Sequence, residues 1–417
     1  MSSLSTYLQK KKLAKIQSVE DARDLAKRRV PASVYQMFEA GSGSNITADH
    51  NEQVFSELHF RPRNNVFHDT HDISTTLLGH KVAMPAIVSS VGFLGVAHSD
   101  GEAGVARAAG DAGTIQFVSG VTTTPIETIM ENASGPVFYQ LYYVGGRDAS
   151  ASIIERVKRA GVSGLVLTVD TPTIARPRDL LWSKRKSVPM DMSLKELLKF
   201  GPQVITKPGW ALDIARSNGV KLPDISMALR PDGSTMGFWE GIGKIYEETP
   251  KWDDIAWVRR HWNGPIVLKG ILTVEDAERA VREGVDAIVV SNHGGNVLDG
   301  SLPTLRALPR IVDAVGDKIE VLMDSGVRRG TDVLKALALG AKGVLLGRGY
   351  VYPLMAAGEP GVRHILDLFH RQIEEGLAFL GAESIHELDR SFLDIPASWA
   401  RIEDVLAQEA DKPRLVA

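Results

Sequence analysis

A chain of 417 residues with 44% hydrophobic residues, 24% charged residues and a net charge of −3 is ordinary globular material, without the basic surplus that nucleic-acid binding needs. It contains no cysteine, which excludes disulfides, thiolate zinc sites, iron–sulfur clusters and c-type haem attachment, and its 11 histidines show no HxxxH or HExxH spacing for a metal. No run of about 18 apolar residues occurs, so no membrane span is predicted; the polar, basic start lacks an apolar signal core, and the expectation is a cytoplasmic protein.

In chain order, residues 19–29 and 31–40 carry helical patterning within a segment of roughly 80 residues that precedes the first strand. Short β-branched apolar runs then recur at 86–90 (AIVSS), 114–119 (TIQFVS), 136–142 (PVFYQLY) and 164–170 (GLVLTVD). The second half adds 265–270 (PIVLKG), 287–291 (AIVVS), 320–324 (EVLMD) and 343–347 (GVLLG). Most are continuous rather than alternating, as strands buried on both faces should be. Amphipathic stretches at 101–112, 149–160, 274–283 and 332–339 lie between them. Eight strand-then-helix units in series predict a closed (β/α)8 TIM barrel, with an open doubly wound sheet as the alternative. Residues 171–263 exceed what a barrel loop needs and carry Pro208-Gly209-Trp210 and Phe238-Trp239; they read as a lid or partner surface. The whole chain, 1–417, is expected to form a single barrel domain.

Chemistry in such barrels gathers at the C-terminal strand ends. Those ends carry Ser90, Ser119, Gln140 with Tyr142, Thr168, Lys269, Ser291 with His293, Asp324 and Arg348. After strand seven comes Asp324-Ser325-Gly326-Val327-Arg328-Arg329-Gly330, and after strand eight Gly347-Arg348-Gly349. Glycines that admit a ligand to the backbone, beside arginines, mark the usual phosphate position of the fold. Either loop alone reads equally well as turn glycines and surface charge; the two together favour phosphate. Lys269 closes an apolar strand and needs a partner: an ion pair, a Schiff-base role, or a positive charge against an electron-accepting ring all satisfy that need. His293, in a glycine-framed loop at the mouth, is a candidate general base.

Ser291-Asn292-His293-Gly294-Gly295, residues 324–330 (DSGVRRG), 167–172 (LTVDTP) and 138–142 (FYQLY) resemble the FMN-dependent 2-hydroxy-acid oxidases and dehydrogenases, such as glycolate oxidase, lactate oxidase and mandelate dehydrogenase, over about Ala26 to Ile395. The resemblance implies an FMN-dependent oxidoreductase in which His293 assists hydride transfer to the flavin from a small-molecule substrate, a 2-hydroxy acid or related alcohol or amine. It implies flavin-ring contacts from Ser90, Val91, Gly92, Ser119, Gln140, Thr168, Lys269 and Ser291. Contacts to the ribityl chain and phosphate would come from Asp324, Ser325, Gly326, Arg328, Gly347 and Arg348. Tyr142 would be the active-site tyrosine, and Lys269 would join His293 in catalysis. A homo-oligomer, a tetramer, is implied. The electron acceptor stays open among oxygen, a quinone or a protein; Gly92 stands where some oxidases of the family carry alanine.

Two positions depart from that pattern. The motif usually continues SNHGGR, its arginine clamping the substrate carboxylate, but here the residue is Asn296. Tyr35 matches the first of two N-terminal tyrosines, and Met37 replaces the second. Arg176 matches the other substrate arginine with a one-residue gap, with Arg178 as its rival. An asparagine offers no charged fork, so the expected substrate contacts are Tyr142, Arg176, His293, Asn296 and Met37, around a substrate other than a simple 2-hydroxy acid. The run 293–300 (HGGNVLDG) is similar to the branch of the family that includes pre-mycofactocin synthase.

Overall fold

The computed structural model describes residues 3–171, 194–215, 223–224 and 250–399. The eight apolar runs become eight parallel strands. They are β1 (Ala86–Val88), β2 (Gln116–Ser119), β3 (Val137–Leu141), β4 (Gly164–Thr168), β5 (Ile266–Ile271), β6 (Ala287–Val290), β7 (Glu320–Met323) and β8 (Gly343–Leu346). Each pairs with its sequence neighbours, and β8 pairs back onto β1 with Leu345 opposite Ile87, which closes the barrel. Most strands are shorter than the runs, because polar residues such as Ser90, Asp170, Ser291 and Asp324 leave the ladder for the loops.

The two-residue period of a strand divides the apolar residues into two cores. Ile87, Phe117, Phe138, Val166, Val267, Val289, Leu322 and Leu345 form the inner core. Their alternates, among them Val88, Val118, Tyr139, Leu165, Leu268 and Ile288, pack in the outer core with the helices. Full burial of each such side chain contributes about 1.5–3 kcal/mol. A hairpin of Thr75–Leu77 and His80–Val82 adds Leu77, Leu78 and Val82 to the inner core. The Glu320 carboxylate, at the start of β7, accepts from the Leu78 amide at 3.0 Å, which sets this plug at the N-terminal end of the barrel.

The N-terminal segment folds into helices that include Val19–Arg29, Ala32–Glu39 and Ile46–Gln53. Ser18 caps the first by accepting from the Asp21 amide at 3.0 Å. Helices Gly101–Asp111, Gly146–Ala160, Val274–Arg282 and Gly330–Ala338 occupy the expected places, with ends shifted by up to three residues. Within the long insertion, Leu194–Ile205 and Pro208–Ala215 are helices seated on the N-terminal segment and the loop after β1. Ser33 Oγ donates to Gln203 at 2.9 Å, the Trp210 indole donates to the Val96 carbonyl at 2.9 Å, and Arg29 pairs with Asp213 at 2.7 Å. Arg176, Arg178, Phe238 and Trp239 lie outside the described residues.

Candidate active site

Two residues above the apolar inner layer, the same inward alternation brings up a polar layer. Phe117 is followed by Ser119, Phe138 by Gln140, Val166 by Thr168, Val267 by Lys269, Val289 by Ser291 and Leu322 by Asp324. All six polar side chains are buried. The apolar layer therefore forms the floor of a polar cup that opens at the C-terminal mouth. Gln140 Nε2 donates to Thr168 Oγ1 at 2.5 Å.

Lys269 Nζ lies 2.8 Å from Asp324 Oδ2 and donates to Ser291 Oγ at 2.8 Å. Burial opposes its charge, but the carboxylates of Asp324 and Asp170 outweigh burial and hold its pKa above the ordinary lysine value. An amine kept protonated is a poor nucleophile, so the ion pair and the positive charge are the roles this geometry supports.

His293 sits in a left-handed turn (φ 58) with its amide donating to Ser291 Oγ at 3.1 Å. Its Nδ1 is 3.0 Å from Asp170 Oδ1. Burial would raise the Asp170 pKa, yet His293 and Lys269 bring it below the usual aspartate value. An ionised carboxylate only accepts hydrogen bonds, so it fixes the proton of a neutral imidazole on Nδ1 and leaves Nε2 basic. Asp170 reaches this place because β5 bulges at Gly270 (φ +113), where any Cβ would come within 2.6 Å of Asp170 Cβ.

On the β7–β8 side, Ser325 Oγ accepts from the Gly294 amide at 3.0 Å and donates to Asp324 Oδ1 at 2.7 Å, tying this loop to the His293 turn. Arg328 is buried; its guanidinium donates to the Val327 carbonyl at 2.9 Å and to Glu52 at 2.6 Å. Gly347 precedes helix Arg348–Ala357, with open space where a Cβ would stand. The Arg348 guanidinium donates to three main-chain carbonyls: Phe38 at 2.8 Å, Gly294 at 2.8 Å and Ala40 at 3.2 Å. Its side chain thus fastens the N-terminal segment to the His293 turn, a role the sequence did not announce.

A family model described as FMN-dependent dehydrogenase matches residues 26–395. The chain belongs to this family. Pre-mycofactocin synthase of Mycobacterium tuberculosis is 42% identical over 388 residues, 92% of this chain and 96% of the relative. L-lactate dehydrogenase of Actinobacillus pleuropneumoniae is 38% identical over 382 residues, 91% and 98% of the two chains. The crystal structure of the monotopic membrane protein (S)-mandelate dehydrogenase superposes with a TM-score of 0.83 at 31% identity, covering 91% of this chain and all of that one. The protein is an FMN-dependent oxidoreductase acting on a small molecule, on the (β/α)8 barrel expected from its sequence.

The cup fits the FMN of this dehydrogenase family. Ser90 Oγ and Gln140 Oε1 are buried with no hydrogen-bond partner among the described residues. A buried polar atom left unpaired costs about 1–3 kcal/mol, and a flavin ring offers donors and acceptors that satisfy it. Of the other residues singled out in the sequence, Val91 and Gly92 are half-buried beyond β1, and Tyr142 is half-buried just past β3. Met37 is partly buried and packs on the core, while Asn296 Nδ2 donates to the His293 carbonyl at 2.8 Å. A Cβ on Gly92 would come within 2.3 Å of Val121 Cγ2, so an alanine there requires Val121 to move.

Sequence reasoning missed Asp170, Glu52 and Asn51. Asp170 stood inside a quoted motif (LTVDTP), two residues past the last inward position of β4, and that offset was its only signal. Glu52 and Asn51 meet their partners across more than 200 residues, and no local pattern marks them.

Proposed function

We propose that this enzyme oxidises a carbon bearing a hydroxyl or amine next to an uncharged carbonyl, such as an amide, with His293 as the base. The supporting observation is the hydrogen bond from Asn296 to the His293 carbonyl, at the position where the family pattern has its carboxylate-clamping arginine. Lys269 is committed to Asp324, so its ammonium offers no replacement clamp. A hydrogen bond to a charged group is worth about 1.5–3 kcal/mol, and a free carboxylate loses that amount here.

Bound FMN supplies the two-electron acceptor for the substrate C–H bond. Ser90, Val91, Gly92, Ser119, Gln140, Thr168, Lys269 and Ser291 would hold its ring, with Asp324, Ser325, Gly326, Arg328, Gly347 and Arg348 around its ribityl chain and phosphate. His293 Nε2 takes the proton of the substrate hydroxyl or amine as the carbonyl or imine forms. Asp170 holds the opposite ring nitrogen and stabilises the resulting imidazolium. Lys269 keeps a fixed positive charge beneath the reacting centre. Tyr142 and Met37 would shape the substrate side of the mouth, and Arg176, as the family resemblance implies, would contact the substrate. The homotetramer, the cytoplasmic location and a single domain that includes the N-terminal segment and the insertion belong to this proposal too.

The test compares (S)-lactate, glycolate and (S)-mandelate with their uncharged amides, following anaerobic bleaching of the flavin. The expected result is a higher kcat/KM for an amide than for its acid. Faster turnover of the free acids would overturn the proposal and favour a second reading, in which Arg176 alone holds a carboxylate.

A further inference from the structure

Helix Ile46–Gln53 touches both halves of the site. Its Asn51 side chain is buried and forms a reciprocal pair with Asn292, the residue before His293: each amide donates to the other's oxygen at 2.8 Å. Asn292 uses its remaining capacity on the turn itself, Oδ1 accepting from the Gly295 amide at 3.1 Å and Nδ2 donating to the Leu302 carbonyl at 3.2 Å. That turn is unusual, with His293, Gly294 and Gly295 all left-handed (φ 58, 65 and 75). A non-glycine residue there is held against a local preference worth about 1–2 kcal/mol and persists only if its surroundings determine it.

The helix packs directly against that turn and the segment that follows it. Asp299 accepts from the Thr47 amide at 3.0 Å near the first turn of the helix. A Cβ on Gly295 would come within 2.5 Å of Ala48 N, and one on Gly326 within 1.8 Å of the Asn51 carbonyl, so both loops lie directly on the helix.

We infer that Asn51 is a positioning residue for the base: through its paired amide with Asn292 it sets the left-handed turn that aims the His293 ring at Asp170 and at the substrate. This rests on the reading of His293 as the base and adds to it a residue more than 200 positions away in sequence. Among the described residues the Asn51 side chain hydrogen-bonds to Asn292, not to the His293 ring.

The test uses FMN-loaded protein with selectively 15N-labelled histidine and compares wild type, N51A and N51D. N51D keeps the shape and one of the two amide bonds, so it reports even if N51A folds poorly. The expected result is a changed His293 titration midpoint and at least tenfold faster solvent exchange of its Nδ1 proton, with FMN affinity within about threefold of wild type. Flavin reduction by (S)-mandelamide or (S)-mandelate, whichever wild type uses faster, should slow at least tenfold with KM little changed. A purely structural role would lower the melting temperature but leave the His293 titration and the rate per bound flavin unchanged, and that result overturns the inference. H293A is the control: if H293A retains the wild-type rate, it is the assignment of the base that fails.

Discussion

Replacing Asp170 with asparagine (D170N) keeps the shape of the side chain and removes the charge that faces His293. The oxygen lies 3.0 Å from Nδ1. At an effective dielectric of about 20, a full imidazolium at that distance gains roughly 5 kcal/mol from the carboxylate. Part of this is offset, because the His293 side chain is 24% exposed and water screens it, and because asparagine still offers a neutral hydrogen bond. A net loss of about 2–3 kcal/mol remains at the transition state, which is roughly 30- to 150-fold in rate at 1.36 kcal/mol per decade. The assay is anaerobic stopped-flow reduction of the flavin, expressed per bound FMN so that cofactor content does not enter. A rate within threefold of wild type, or a loss carried entirely by KM, would refute the orienting role. The pH dependence has a defined sign: the folded-state pKa of Asp170 is depressed, so its stabilising contribution is present above the unfolded value of about 3.9 and is lost only as pH falls through the lower folded value.

N296R restores a charged fork beside the base, and kcat/KM for (S)-lactate or (S)-mandelate should rise about ten- to hundredfold relative to the corresponding amide; an unchanged ratio would detach Asn296 from substrate choice. K269M removes the ammonium 2.8 Å from Asp324 and leaves buried carboxylates uncompensated, costing about 3–5 kcal/mol. Its urea midpoint should drop, and adding D324N should recover part of the loss; no drop would contradict the pairing. E52Q frees Arg328 from a carboxylate at 2.6 Å. FMN should then bind about three- to tenfold more tightly by fluorescence quenching while riboflavin, which lacks the phosphate, is unaffected; equal changes in both ligands would dissociate Arg328 from the phosphate. Asp224 is buried 2.8 Å from Arg156, and burial outweighs that arginine to raise its pKa to about 6. Stability from a raised folded pKa is fully present below the unfolded value and lost as pH rises through about 6. D224N should therefore melt higher than wild type near pH ~8 and gain nothing near pH ~4; identical melting at both would negate the shift.

The barrel was legible because its information is local. Each strand announces itself as a short apolar run, and the residue ending it carries the polarity that the mouth requires. Gln140, Thr168, Lys269 and Asp324 could be located by counting two residues past Phe138, Val166, Val267 and Leu322. Pairings across the chain were not legible. Nothing in the residues around Arg348 tells that its guanidinium will end on Phe38 and Ala40 carbonyls, since carbonyls are everywhere and the choice is made by how the N-terminal segment docks. Asp170 illustrates the intermediate case: its motif was visible, but its partnership with His293 depends on a bulge at Gly270 that only the folded sheet reveals.

The hairpin plug has a consequence for traffic. With Leu77, Leu78 and Val82 sealing the far end of the cylinder, reagents have no through-passage along the barrel axis. Any molecule that reaches the polar cup therefore enters and leaves by the C-terminal mouth.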